Sequence, residues 1–306
     1  MGFWSSWLKK IIQGVVKLAH FEEYFYTISI ATLLGISAAN GCLDWRFLIL
    51  FPANWLAVGF AYMVNDIENA PNDALKSSMT KPNPVSLGWL SSRTARYAAF
   101  LIVIIVVILA VLLGKWPLIF LTSSLLLGFL YSYRGTLLKN IRLFDIIVHS
   151  LAFAGLQFLT GYFSYSSHFQ PNWFWPFSFI LSMSVLSALN QQTRNIESDR
   201  IQHQNTSKFL GKRTSQILKV IILVFCAFSA VVSLIISDII PFWTFILGLI
   251  LTCLLVFFRF SRDRKTKAKE STQEVILKSI EQAFTLALYL QFVIPWVNPL
   301  TRFFIG

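Results

Sequence analysis

Charge is scarce in this chain, and negative charge is scarcest. Only 13% of the 306 residues are charged, with 14 Asp and Glu against 26 Lys and Arg. A water-soluble domain carries nearer a quarter, so an ordinary soluble fold is excluded. Cysteine is also sparse. The three present make neither a disulfide framework nor a zinc site, since Cys226 and Cys253 fall inside apolar runs and Cys42 sits alone in a short loop. No Pro/Gly-rich linker or low-complexity tract interrupts the chain, so residues 1–306 read as a single domain. A cleavable signal is missing too. Lys9 and Lys10 break the first apolar stretch, and no small-residue cleavage site follows.

Hydrophobic residues make up 56% of the chain, and mean hydropathy is +0.63. Apolar runs long enough to cross a bilayer recur throughout, which makes the fold class all-α and polytopic. We place about nine transmembrane spans near residues 23–40, 46–64, 97–114, 117–133, 144–166, 174–193, 217–237, 239–258 and 279–297. Residues 1–20 read as an amphipathic interfacial helix. Trp4, Trp7, Leu8, Ile11, Val15 and Leu18 share one face, with Lys9, Lys10, Gln13 and Lys17 largely opposite. With alternating spans, all Lys and Arg except Arg46, Lys115 and Arg302 fall on one side of the membrane. That side is therefore cytoplasmic, with the N-terminus, in a cell inner or plasma membrane, and the C-terminus lies outside. The same asymmetry explains a net charge of +12 without nucleic acid. Trp89, Trp116, Trp173, Trp175, Trp243 and Trp296 fall at span ends and read as an interfacial belt.

The few acidic residues are concentrated. Asn65, Asp66, Glu68, Asn69, Asn72 and Asp73 follow the second span, and a continuing helix would put Asn65, Asn69 and Asp73 on one face. Gln191, Asn195 and Asp199 repeat that spacing after the sixth span, with Glu197 between them. The recurrence hints at a four-span duplication and at two halves of one site. Carboxylate and amide oxygens suit a hard cation, and a sparse set suits Mg²⁺ shared with a substrate phosphate. Lys76, Lys81, Arg194, Arg200 and Lys208 lie close by in sequence. From spacing alone a solvated polar rim and a Mg²⁺–diphosphate site are equally open. Elsewhere, His149 one turn after Asp145 reads as a structural pair, and Gln157, Ser184 and Ser187 as contacts between helices.

Several of these residues together carry a resemblance. Asn65-Asp66-x-x-Asn69-x-x-x-Asp73 resembles the NDxxDxxxD motif of the UbiA superfamily of intramembrane prenyltransferases, and Arg194-Asn195-Ile196-Glu197-Ser198-Asp199 resembles its RDxxxD motif. Thr206 with Leu210-Gly211, the segment Lys81 to Gly88, and Tyr131-Ser132 with Lys139 and Asp145 are similar to further family segments in the same order. The resemblance implies a helical ring around a central cavity, with both motifs at its cytoplasmic mouth. It further implies two Mg²⁺ ions holding a prenyl diphosphate donor, and transfer of the isoprenoid to a small or lipophilic acceptor through an allylic cation. By this resemblance Asp66, Asp73 and Asp199 are the candidate catalytic residues. Asn65, Asn69, Asp73, Asn195 and Asp199 are the candidate metal ligands, and Lys81, Lys139 and Arg194 would hold the diphosphate. A terpene cyclase of the same fold, or a weakened isoprenoid-binding or transport protein, are the alternatives.

The chain departs from the pattern at informative places. Asn69 and Asn195 stand where the family has Asp, which removes two negative charges, and Arg134-Gly135 replaces a Pro-Pro pair. Glu68 and Glu197 would compensate only if the helix broke, which Pro71 permits near the first motif.

Overall fold

The computed structural model describes residues 11–75, 83–195, 206–235, 239–266 and 272–294, and among these there is no strand. The helices are α1 (Phe21–Ala38), α2 (Trp45–Asp73), α3 (Ser92–Leu113), α4 (Lys115–Ser132), α5 (Phe144–Ser150), α6 (Leu156–Phe163), α7 (Phe174–Asn195), α8 (Thr206–Ile235), α9 (Phe242–Thr266) and α10 (Thr272–Val293). A π-helical turn, Leu151–Gly155, joins α5 and α6 into one rod. Six rods among the described residues are long and apolar enough to cross a membrane: α2, α3, α4, α5–α6, α8 and α9. The other three, α1, α7 and α10, carry more polar residues. In α1 these are sheltered: Ser29 and Thr32 are buried and return their hydroxyls to Phe25 O and Ile28 O, each at 2.7 Å. A helix enclosed by others meets little lipid and tolerates such residues.

Local signals set the element ends. Asp44 caps α2 by accepting from Arg46 N, and Ser91 caps α3 by accepting from Thr94 N. Gly114, at φ 111° and ψ −174°, turns α3 directly into α4 in a backbone conformation that side chains disfavour. The apolar runs predict the positions of the rods, but several helices outrun them on the cation-rich side. Thus α2 continues to Asp73 and α9 reaches Thr266, while α8 is kinked near its start, where Gly211 (φ 76°, ψ 162°) leaves the helical conformation.

Close backbone contact and a polar seam hold the bundle. α1 crosses α6 so tightly that a Cβ on Gly35 would lie 2.2 Å from Phe158 O, and one on Gly161 would lie 2.6 Å from Thr32 O. Asn54 of α2 donates to Thr32 Oγ1 at 2.7 Å and to Gln157 O at 3.2 Å. Gln157 in turn donates to Ser124 Oγ at 2.9 Å. Gln157 is thus the interhelical contact expected from its polarity in an apolar run. On the far side α10 returns to α1: Thr27 donates to Glu281 at 3.3 Å, and Gln291 donates to Ser37 at 3.4 Å.

Two expectations change. Residues 11–18 are helical, but their apolar face is not simply laid on lipid. Leu18 is fully buried, and Ile11 and Val15 pack against the core. An amphipathic stripe fits a protein surface as well as a membrane one. Cys253, expected inside the bundle with buried Cys226, lies exposed on α9, a helix with little of its surface covered by protein.

Candidate functional site

The site grows from the uninterrupted course of α2. Its hydrogen bonding runs through the apolar segment and on past Pro71, which lies inside the helix near its end. Asn65, Asn69 and Asp73 therefore share one face, with their side chains half-buried. No break turns Glu68 toward that face. Glu68 instead pairs with Arg134, whose Nε lies 3.4 Å from Oε2 and whose Nη2 donates to Glu68 O at 3.0 Å. The replacement of the family's Pro-Pro by Arg134-Gly135 thus supplies Glu68 with a partner, and compensation of the missing charge by Glu68 is ruled out.

Lys139 arrives from the 3₁₀ turn Leu138–Asn140 after α4. Its Nζ donates to Asn65 Oδ1 and to Asn69 Oδ1, each at 3.0 Å. Asn69 Nδ2 also donates to Asn65 Oδ1 at 3.1 Å, as does Ser132 Oγ at 3.3 Å. Below this face, Asp73 Oδ2 accepts from Asn83 Nδ2 at 3.1 Å, and the same amide reaches Asp66 O at 2.8 Å. Asn83 thus pins the Pro-rich segment to the motif.

Asp66 points elsewhere. It is buried, and its Oδ2 lies 2.9 Å from Nε2 of His20, whose Nδ1 lies 2.7 Å from Glu23 Oε1. Burial alone would lower the His20 pKa. The hydrogen bonds to Asp66 and Glu23 outweigh it and raise the value to about 9. His20 is therefore an imidazolium at neutral pH, and Asp66 serves to position it. From His20 a file of rings leads toward the interior: Tyr62 at 5.3 Å, then Phe153 at 5.4 Å, then His149 at 4.5 Å.

The segment that carries Lys139 also reaches the second motif's surroundings. Asp145 accepts from Thr206 N at 2.9 Å and from Gln192 Nε2 at 2.8 Å, and it is bonded by the Thr206 hydroxyl. Gln192 sits near the end of α7 and Thr206 opens α8, so Asp145 clasps the two helix ends that flank the second motif. This replaces the expected Asp145–His149 pair; His149 stacks on Phe153 instead. The segment is braced by Leu137 and Leu143, both at positive φ (43° and 68°). Non-glycine residues held there cost on the order of 1–3 kcal/mol each, which the surrounding contacts must offset.

The structure therefore brings together Asn65, Asn69, Asp73 and Lys139, and it turns Asp66 away. Arg194 and Asn195 end α7, with side chains outside the description, and Lys81, Glu197 and Asp199 lie outside the described residues. His20 and Gln192 escape sequence reasoning, while Asn83 and Ser132 fall within the segments that carry the family resemblance but are given no role there.

The UbiA prenyltransferase family model matches residues 28–280. The chain belongs to the UbiA prenyltransferase family. No curated protein sequence matches it, so the family is identified without a close relative of stated activity. Among solved structures, a UbiA homolog from Archaeoglobus fulgidus bound to GPP and Mg²⁺ is similar, with 15% identity and a TM-score of 0.62. That match covers 93% of this chain and 98% of the other. A UbiA homolog from Aeropyrum pernix K1 has 12% identity and a TM-score of 0.65, covering 90% and 99%. Digeranylgeranylglyceryl phosphate synthase in membranes has 17% identity and a TM-score of 0.62, covering 91% and 98%. At these identities the likeness is one of fold.

UbiA membership makes a divalent ion the group to test against this site. Mg²⁺ is held by one or two carboxylates together with substrate phosphates. Asp73 offers one such carboxylate on the described face of α2, while Asp199 lies outside the described residues. The oxygens of Asn65 and Asn69 are neutral and already accept from an ammonium. Among the described residues, no group of three or more His, Cys, Asp or Glu is placed to hold a metal ion.

Proposed function

We propose that this protein is an intramembrane prenyltransferase that takes an isoprenoid chain from a prenyl diphosphate and transfers it to a small or lipophilic acceptor. The observation that carries the reading is Lys139, set 3.0 Å from both Asn65 and Asn69 on the helix face that also presents Asp73. An ammonium presented on this face is complementary to an anion, here the diphosphate. A divalent ion at Asp73 and Asp199 would supply further neutralisation of the departing diphosphate.

The chain's own residues do the rest. Lys139, with Lys81 and Arg194, binds and orients the diphosphate at the cation-rich, cytoplasmic end, leaving the isoprenoid to run inward between the helices. Tyr62, Phe153 and His149 lie along that direction, and the ring faces stabilise a developing allylic cation while excluding water. Breaking the C–O bond leaves the electron pair on the diphosphate. The acceptor then supplies the pair that forms the new bond and loses a proton.

Purified protein in lipid nanodiscs, offered isoprenoid diphosphates of increasing length with Mg²⁺ and candidate acceptors, tests this. The expected result is diphosphate release that depends on acceptor for at least one chain length. Release without acceptor would favour a cyclase. Binding without release would favour an isoprenoid-binding protein, a reading that the two Asn-for-Asp replacements keep alive. The absence of both binding and release for every chain length would overturn the proposal.

A further inference from the structure

Just inside the first motif, rings from three rods face one another. Tyr62 lies three residues before Asn65 on α2, about 4.5 Å deeper along the same face. Tyr131 of α4 directly precedes Ser132, which bonds Asn65. The His149 ring of α5 lies 6.3 Å from that of Tyr131 and 4.5 Å from that of Phe153, which meets Tyr62 at 5.4 Å. All four side chains are only half-buried. His149 nonetheless points inward, because Ile147, about 200° away around the helix, is on the exposed side. The accessible surface of these rings therefore belongs to a space between α2, α4 and the α5–α6 rod, one turn below the residues that would hold a diphosphate.

His149 is the ring in this space that can take a proton. Phe153 stacks on its face, with an angle of 17° between the planes, and so leaves both in-plane nitrogens uncovered. Among the described residues, neither nitrogen has a hydrogen-bond partner. Asp145, one turn earlier, is taken by Thr206 and Gln192. The ring is still held in place. The π-helical turn that follows carries Phe153, and its Ala152 O accepts from Gln157 Nε2 at 2.7 Å and from Ser124 Oγ at 3.2 Å. Such turns recur at functional sites. A neutral imidazole has one N–H and one lone pair, and an edge of this kind set among rings costs stability until a ligand completes it.

We propose that His149 is the base that takes the proton from a hydroxyl of the acceptor as the isoprenoid is transferred. The inference rests on the prenyl-diphosphate reading above and supplies the base that this reading leaves unassigned. The C–O bond to the diphosphate breaks, and its electron pair leaves with the diphosphate. A pair on the acceptor oxygen forms the bond to the allylic carbon. The O–H pair stays on that oxygen, and the proton goes to the imidazole lone pair. The imidazolium returns it to water once the products leave. An acceptor with a free hydroxyl is thereby preferred over its ether.

The test separates hydrogen bonding from proton transfer. Protein in nanodiscs with Mg²⁺ is saturated with geranyl, farnesyl or geranylgeranyl S-thiolodiphosphate, which resist cleavage. It is then titrated with 1-naphthol and, separately, with 1-methoxynaphthalene. Wild type should bind the naphthol about ten-fold more tightly, and His149→Phe should bind the two alike. Turnover is read with 1-naphthol and the matching cleavable diphosphate. His149→Gln keeps an oxygen that accepts a hydrogen bond but offers no base. It should retain the preference in binding while naphthol-dependent diphosphate release falls on the order of a hundred-fold. Wild type that binds the probes alike, or binds neither, would overturn the inference and leave the prenyl-diphosphate reading standing. So would a preference that survives in folded His149→Phe, or release by His149→Gln at the wild-type rate. Should His149→Phe not fold, His149→Gln decides. Should wild type not turn over the naphthol, the binding pair decides alone. Failure of every diphosphate analogue to bind would instead remove the underlying reading, and this inference with it.

Discussion

At the scale of single residues, the His20–Asp66 contact makes two predictions. His20 has a folded pKa near 9 against an unfolded value of 6.5. Its contribution is therefore fully present below about pH 6.5 and is lost as pH rises through 9. The melting temperature in detergent should fall between pH 7 and pH 9.5, by an amount bounded at about 3 kcal/mol. His20→Gln should flatten that fall, and an unchanged slope in this variant would show that another group titrates. Asp66 and Asp73 should also separate. Asp66→Ala leaves the buried imidazolium with only Glu23, so it should lower stability by about 2 kcal/mol. Asp73→Ala and Asp199→Ala should abolish diphosphate release with little change in melting temperature. Equal loss of stability at all three positions would argue against distinct roles. Of these residues, the spacing of Asn65, Asn69 and Asp73 is legible in the sequence because a single helix carries all three. His20 is not, since its partner is remote in sequence and only folding brings them together.

At the scale of elements, the crossing of α1 and α6 depends on two glycines. Gly161→Ala would set a methyl against Thr32 O, a backbone atom that moves only if the helices part. Overpacking of this kind costs about 1–3 kcal/mol. The expected readout is a lower melting temperature in detergent for Gly161→Ala, with a larger loss for Gly35→Ala, whose added Cβ would sit closer to backbone. A neutral Gly161→Ala would mean the helices are looser than the structure shows. The rods themselves are readable from apolar runs, but their ends are not. α2 and α9 continue past the last apolar residues because a helix needs only internal hydrogen bonds to persist in water or among headgroups. The fate of Glu68 is equally hidden, as nothing in the local sequence tells that Pro71 leaves the helix intact or that Arg134 comes to meet it.

At the scale of the whole molecule, the one-sided distribution of Lys and Arg predicts an orientation that can be tested. Cys42 is exposed in the loop between α1 and α2, opposite the motifs. A membrane-impermeant thiol reagent should label it in intact cells, and Cys42→Ser should abolish the labelling. Cys253 is exposed only along the lipid-facing length of α9, and Cys226 is buried, so neither should react. Labelling confined to opened membranes would invert the topology. Fold class is thus legible from composition, because the bilayer imposes it residue by residue. The link from the first motif, through Lys139, to Gln192 and Thr206, held by Asp145, is not, because it depends on how separate chain segments pack.

The return of α10 onto α1 gives the molecule a timetable. Glu281 and Gln291 are made long after Thr27 and Ser37, the α1 residues they meet. During synthesis α1 enters the membrane with that flank still open, its hydroxyls facing lipid or a chaperone until α10 is made and released. A nascent chain stopped before Thr272 would keep the gap, and quality-control proteases that survey unpaired polar helices should remove it faster than a chain that includes α10.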